Sequence, residues 1–153
     1  MKITDFLDAS RIIPNLRAKD KRGVLREMAE EMASREPSVN AEKLLAALLE
    51  REKISSTAIG EGVAIPHGKI SGVPKVSGIL ARSAQGIDFD SLDGGPTYLF
   101  FLLVAPENSA ADHLKALARI SRILKDSGFR ARLMGGKSPE EIFNAIQQED
   151  AKF

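Results

Sequence analysis

Apolar positions along the chain change their period several times, and each change predicts an element. The stretch "TDFLDAS" at 4–10 reads as a short opening helix, and "RIIPNL" at 11–16 as an extended piece in which Pro14 suggests an edge or irregular strand. From Asp20, a good N-cap, Val24, Leu25, Met28 and Met32 recur at helical spacing until about Ala33, ahead of Pro37. Asn40 caps a second helix with Leu44, Leu45, Leu48 and Leu49 as its buried stripe, ending near Arg51 to Lys53. The segments "STAIG", "VAI", "KVSGILARS" and "TYLFFLLVAP" then read as strands. The last is apolar on both faces and therefore central, and "LDGGPT" before it is a turn.

Helical spacing returns in the last third. Ser109 opens a long helix with Leu114, Leu117, Ile120 and Leu124 on one face, ending near Gly128. "FRARLM" predicts a helical turn stopped by Gly135 and Gly136. In "SPEEIFNAI", Ser138 is an N-cap, Pro139 occupies the first helical position and Glu141 closes a capping box. Helices alternating with strands imply one α/β domain over 1–153, a mixed sheet of four to five strands flanked by helices.

Composition narrows the function. The chain has 153 residues, 43% of them hydrophobic and 28% charged, with 22 basic against 21 acidic side chains. That near balance does not call for nucleic acid or an anionic membrane as partner. Arg119, Arg122, Lys125, Arg130, Arg132 and Lys137 gather in the last third, but seven Phe and one Tyr do not interleave with them as base stacking requires. They read as a solvated face or a dock for an acidic protein patch. Without cysteine there is no disulfide or thiolate chemistry. "MKITDFLDASRIIPNL" lacks the continuous apolar region of a signal peptide, and "YLFFLLVA" is too short to span a bilayer, so the expected location is cytoplasmic, without membrane insertion.

The candidate chemistry centres on "GEGVAIPHG", residues 60–68, which holds one of only two histidines. Four glycines, Gly60, Gly62, Gly68 and Gly72, surround His67, a density that suits a tightly bent backbone approached closely by another group. Pro66 stiffens the stem that carries the ring, and Gly68 removes a side chain beside it. A neutral imidazole held this way offers one nitrogen as a nucleophile while the other is oriented by a hydrogen bond. His113, near the start of the long helix, can point to the same end of the sheet, where the helix dipole disfavours its charged form. Arg51, at the exit of the second helix, has the planar fork suited to phosphoryl oxygens.

Two stretches carry a resemblance. "REKISSTAIGEGVAIPHGKI", 51–70, resembles the active-site signature of the enzyme IIA (EIIA) proteins of the bacterial phosphotransferase system (PTS), fructose/mannitol class. "GIDFDSLDGGPTYLFFLLVAPENSAADHLKALARISRIL" continues it, with a central strand, a proline and a histidine opening a long helix. The resemblance covers essentially the whole chain, and a chain of this length without a permease domain is most similar to the nitrogen-regulatory branch. It implies a phosphotransferase in which His67 takes a phosphoryl group from the phosphohistidine of a phosphocarrier protein, HPr or its nitrogen-branch counterpart. His113 would hydrogen-bond that group and Arg51 would counter its charge. The hydroxyls of Ser56 and Thr57 and the backbone N–H groups of Gly60, Gly62 and Gly68 are further candidates for binding the phosphate by hydrogen bonds.

No cofactor and no metal is required by this chemistry. The output would be a charge state read by regulatory target proteins, or a phosphoryl group passed to the EIIB of a sugar permease. One departure is visible: Ala58 in "STAIG" stands where the family pattern has glycine. A remote alternative, a metallohydrolase using His67 and His113 with Asp112 or Glu61, lacks the HExxH spacing of such sites.

Overall fold

Side-chain alternation along one central strand organises the molecule. The computed structural model of the chain describes residues 1–152. Strand β6 (Thr97–Pro106) is almost wholly buried, so both of its faces must be covered. Leu99, Phe101, Leu103 and Ala105 pack into one apolar cluster with the helices of the C-terminal half. Phe100, Leu102 and Val104 pack into another with the first two helices. The result is a sheet between two helical layers.

Around β6 the strands run in the order β1–β5–β6–β3–β2, with β4 also paired to β6. Here β1 is Ile12–Ile13, β2 Ala58–Gly60, β3 Val63–Ala64, β4 His67–Ile70 and β5 Ser77–Ile87. Strand β5 is antiparallel to β6, whereas β3 and β4 are both parallel to it. The sheet is therefore mixed, as expected, but has six strands where four to five were expected. The extra one arises because Pro66 interrupts a single line of chain: β3 pairs with Leu99 and Phe100, β4 with Leu103 to Pro106. Between them the Pro66 carbonyl still accepts from Leu103 N at 2.9 Å.

The first helical layer is α1 (Lys21–Arg35) and α2 (Ala41–Ile54), capped as expected by Asp20, which accepts from Gly23 N, and Asn40, which accepts from Lys43 N. In place of the expected opening helix there are two 3-10 turns, Ile3–Asp5 and Ala9–Arg11. The short β1 that follows is an edge strand and ends before Pro14.

In the second layer, α3 (Ala110–Ile123) departs from expectation. Its buried residues are His113, Ala116, Ile120 and Ile123, whereas Leu114 is 68% exposed and Leu117 is only partly buried. Ile120 and Leu124 are buried as expected, so the difference lies in the first half of the helix, where His113 and Ala116 face the sheet and Leu114 is left exposed. The helix also stops before Gly128, because Asp126 accepts from the N–H groups of Gly128 and Phe129 and starts a separate helix, α4 (Ser127–Gly135). Helix α5 (Pro139–Asp150) is capped by Ser138, but Glu141 closes onto Lys137 N instead of the cap residue.

Of the basic residues of this half, Arg122, Lys125, Arg132 and Lys137 are exposed, while Arg119 and Arg130 are only partly so. Arg119 binds buried Asp150 at 2.7 Å, Arg130 donates to the carbonyls of Leu124 and Lys125 and to Glu61, and Arg132 contacts Gln148 and Glu149. Among the described residues no helix is long and apolar enough to cross a membrane.

Candidate active site

Strand register decides where the first histidine points. His67 lies opposite Leu103 and Lys69 opposite Ala105, so both side chains face the α3 layer, while Gly68 and Ile70 face α2. His67 thus begins a strand instead of riding on the loop after one, and half-buried placement follows. Its ring meets that of His113 edge to face, with centroids 5.4 Å apart and planes at 87°.

Gly68 sets the position of the third residue. A Cβ on Gly68 would stand 3.2 Å from Ala47 Cβ, tighter than ordinary contact, so its absence lets α2 lie close against β4. One helical turn beyond Ala47 comes Arg51, whose Nε donates to His67 Nε2 at 3.2 Å. Its Nη1 donates to the Ser55 carbonyl at 3.0 Å. The loop that follows is tied down by Glu52, which accepts from Thr57 N at 3.0 Å and from the Thr57 hydroxyl and pairs with Lys21 at 3.0 Å.

Hydrogen bonding fixes the tautomer of His67. Nδ1 lies 2.8 Å from the Ile65 carbonyl, which can only accept, so Nδ1 carries the hydrogen and Nε2 carries the lone pair. Burial lowers the pKa of this ring; the Ile65 bond opposes that, the Arg51 charge reinforces it and the Glu52 charge opposes it. His113 is only 4% exposed and both of its ring nitrogens lack a partner. Its pKa is lowered to about 4, first by burial and then by the positive potential of His67 and Lys69. Both rings are neutral at physiological pH.

These residues line a cavity of about 760 Å³ with Ala47, Glu50, Lys53, Ile54, Gly68, Lys69, Ala110, Leu114 and Leu117. Ile54 and Leu114, 79% and 68% exposed, form an apolar rim contributed by α2 and α3. A nucleophilic nitrogen, a neutral imidazole and a guanidinium thus converge on one concave, mostly apolar surface. That set can accept and stabilise a tetrahedral, polyanionic group.

Other sequence candidates lie elsewhere. The Ser56 hydroxyl donates to the Phe89 carbonyl at 2.7 Å and Thr57 is held by Glu52, so neither lines the cavity. Gly60 and Gly62, with φ of 110° and 76°, flank Glu61 in the hairpin between β2 and β3, against Asp93 and Tyr98. They shape that turn rather than the cavity. Ala58 is fully buried and is not among the positive-φ residues, so the departure from glycine in "STAIG" needs no special backbone. Glu61 is paired with Arg130 at 2.8 Å, and among the described residues no three His, Asp or Glu side chains gather as a metal site would need.

Sequence reasoning missed Glu52, Lys69, Ile54 and Leu114. Lys69 had a signal, since it stands two residues beyond His67 and a strand places such pairs on one face. Glu52 and the two rim residues had none, because their roles depend on which loop and which helix end meet there.

Comparisons with known proteins show what the whole chain is similar to. Residues 5–149 match the family described as the phosphoenolpyruvate-dependent sugar phosphotransferase system, EIIA 2. A nitrogen regulatory protein of Bradyrhizobium diazoefficiens is 42% identical over 146 residues, 95% of either chain. The fructose-specific EIIABC component of Bacillus subtilis is 37% identical over 150 residues, 98% of this chain but 24% of that longer protein. The crystal structure of the nitrogen regulatory protein IIA-Ntr of Neisseria meningitidis superposes with a TM-score of 0.88 at 31% identity, covering 94% of this chain and 98% of that one.

Proposed function

Because the chain belongs to the EIIA 2 family of the phosphoenolpyruvate-dependent sugar phosphotransferase system, we propose that it carries a phosphoryl group on His67 Nε2 and transmits its phosphorylation state to regulatory target proteins. The observation that carries the reading is the pair of bonds on the His67 ring: Nδ1–H is spent on Ile65, which leaves the Nε2 lone pair facing Arg51 and the cavity. The donor is a phosphohistidine carrier protein, HPr or a nitrogen-branch counterpart, whose apolar surface would meet the rim formed by Ile54 and Leu114.

In the transfer step the Nε2 lone pair forms a bond to phosphorus while the donor's phosphorus–nitrogen bond breaks, its electron pair returning to the donor ring. The attacked His67 ring becomes cationic, and the Ile65 carbonyl, already accepting from Nδ1–H, stabilises that charge. The Arg51 guanidinium occupies the line of attack at rest, so it must pivot as phosphorus arrives and then bind the phosphoryl oxygens. His113, held neutral by burial, supplies an N–H to another oxygen without the cost of desolvating a charge. The chain's own contribution is position and electrostatics.

A sugar-transport role, in which the group passes to an EIIB, is favoured by the 37% identity to a fructose component. The regulatory role has the match that spans 95% of both chains. Incubation with phosphoenolpyruvate, enzyme I and a phosphocarrier should add one acid-labile, base-stable phosphoryl group, and none to His67→Ala. Label persisting in that variant would sink the assignment. Passage of the group to purified fructose or mannitol EIIB domains at a rate matching its acceptance would favour transport.

A further inference from the structure

The cavity holds a cation that the roles above do not use. Lys69 shares the α3-facing side of β4 with His67, two residues and therefore about 6.6 Å away along the strand. A lysine side chain covers that distance, and Lys69 lines the same cavity as Arg51, His67 and His113.

Charge accounting separates Lys69 from its neighbours. Lys53 is paired with Glu50 at 2.8 Å, and Arg51 is engaged by His67 and the Ser55 carbonyl. Lys21, behind the loop, is taken by Glu52 and Asp90. Among the described residues no carboxylate or carbonyl is bonded to the Lys69 ammonium, although its field reaches His113. An exposed lysine lining a cavity whose other charged side chains, Arg51, Lys53 and Glu50, already have partners is a charge available to an anion.

We propose that Lys69 pairs with an oxygen of the phosphoryl group carried on His67, as a third contact beside Arg51 and His113. This rests on the phosphohistidine reading and specifies which side chain sets the charge and lability of the bound group. Guanidinium and ammonium divide the work: Arg51 must leave the lone pair before it can bind oxygen, whereas Lys69 is free from the start and draws the group toward Nε2. No covalent step is added.

The test compares wild type, Lys69→Gln and Lys69→Arg, each phosphorylated through phosphoenolpyruvate, enzyme I and the phosphocarrier. Lys69→Gln should still be labelled on His67, with the transfer rate lowered about tenfold, the size of one lost charge-assisted bond. The midpoint of the phosphohistidine phosphorus-31 titration should rise, because the dianion loses its counter-charge. Lys69→Arg should restore both. Equal rates and equal midpoints in all three proteins would overturn the proposal alone. A slower Lys69→Gln with an unmoved midpoint would place the lysine on the docking partner and also overturn it. Absence of label from His67 in the wild type would instead refute the reading on which it rests.

Discussion

Arg51 Nε and His67 Nε2 stand 3.2 Å apart, so the guanidinium rests on the lone pair to which we assign the attack on phosphorus. This contact ties the resting charge state of the nucleophile to a helix end sixteen residues earlier in the chain. It also makes the titration of His67 a direct report on the site.

Arg51 and Glu52 should move that titration in opposite directions. The Arg51 charge lowers the His67 pKa and the Glu52 charge raises it. In proton NMR, Arg51→Ala should therefore shift the His67 midpoint up and Glu52→Gln should shift it down. Shifts of the same sign would show that the two charges do not act on this ring.

Arg51→Lys keeps the charge but loses the planar fork. Phosphoryl transfer should fall by about tenfold or more as two-point contact with the oxygens is lost. Rapid-quench measurement of the transfer from the phosphocarrier checks this, and wild-type kinetics would remove Arg51 from the phosphoryl contact.

His113 should make the fold sensitive to acid. Its pKa falls from 6.5 to about 4 on folding, so between these values the unfolded chain binds a proton that the native state refuses. Stability therefore decreases as pH drops from about 6.5 to 4, by at most ~1.4 kcal/mol per pH unit for this group. The lowered pKa of His67 acts in the same direction. Urea denaturation across this range should show the slope, and His113→Gln should flatten it.

Gly68→Val tests the close approach of α2. Its Cβ alone would crowd Ala47, and the branched methyls would push the helix away from β4. We expect a loss of ~1–3 kcal/mol, typical of overpacking, together with slower transfer because Arg51 moves with the helix. Unchanged transfer in a folded variant would show that the seat of Arg51 does not depend on this contact.

Glu52→Gln should cost ~1–3 kcal/mol in urea denaturation, because Thr57 keeps an acceptor while Lys21 loses a buried counter-charge. An unaltered midpoint would mean that the loop after α2 is held by other contacts.

Much of this protein was legible in its sequence. Helices α1 and α2 announced themselves through N-caps and regular apolar spacing, and β6 through an unbroken apolar run, because such signals are local: a cap oxygen, a 3.6-residue period, two buried faces. His67, His113 and Arg51 also stood out in the two quoted stretches. What the sequence left open depended on contacts between distant segments. The face that the first half of α3 buries, His113 and Ala116 with Leu114 left exposed, was decided by the packing of the helix on the sheet. The division of one line of chain into β3 and β4 at Pro66 was decided by pairing with β6. Ser56 and Thr57 were drawn away from the cavity by Phe89 and Glu52, and Lys69 was turned into it by strand register. Local sequence dictates which hydrogen bonds a segment can make with itself, whereas the direction in which a polar side chain points is settled by whichever partner tertiary packing brings within about 3 Å.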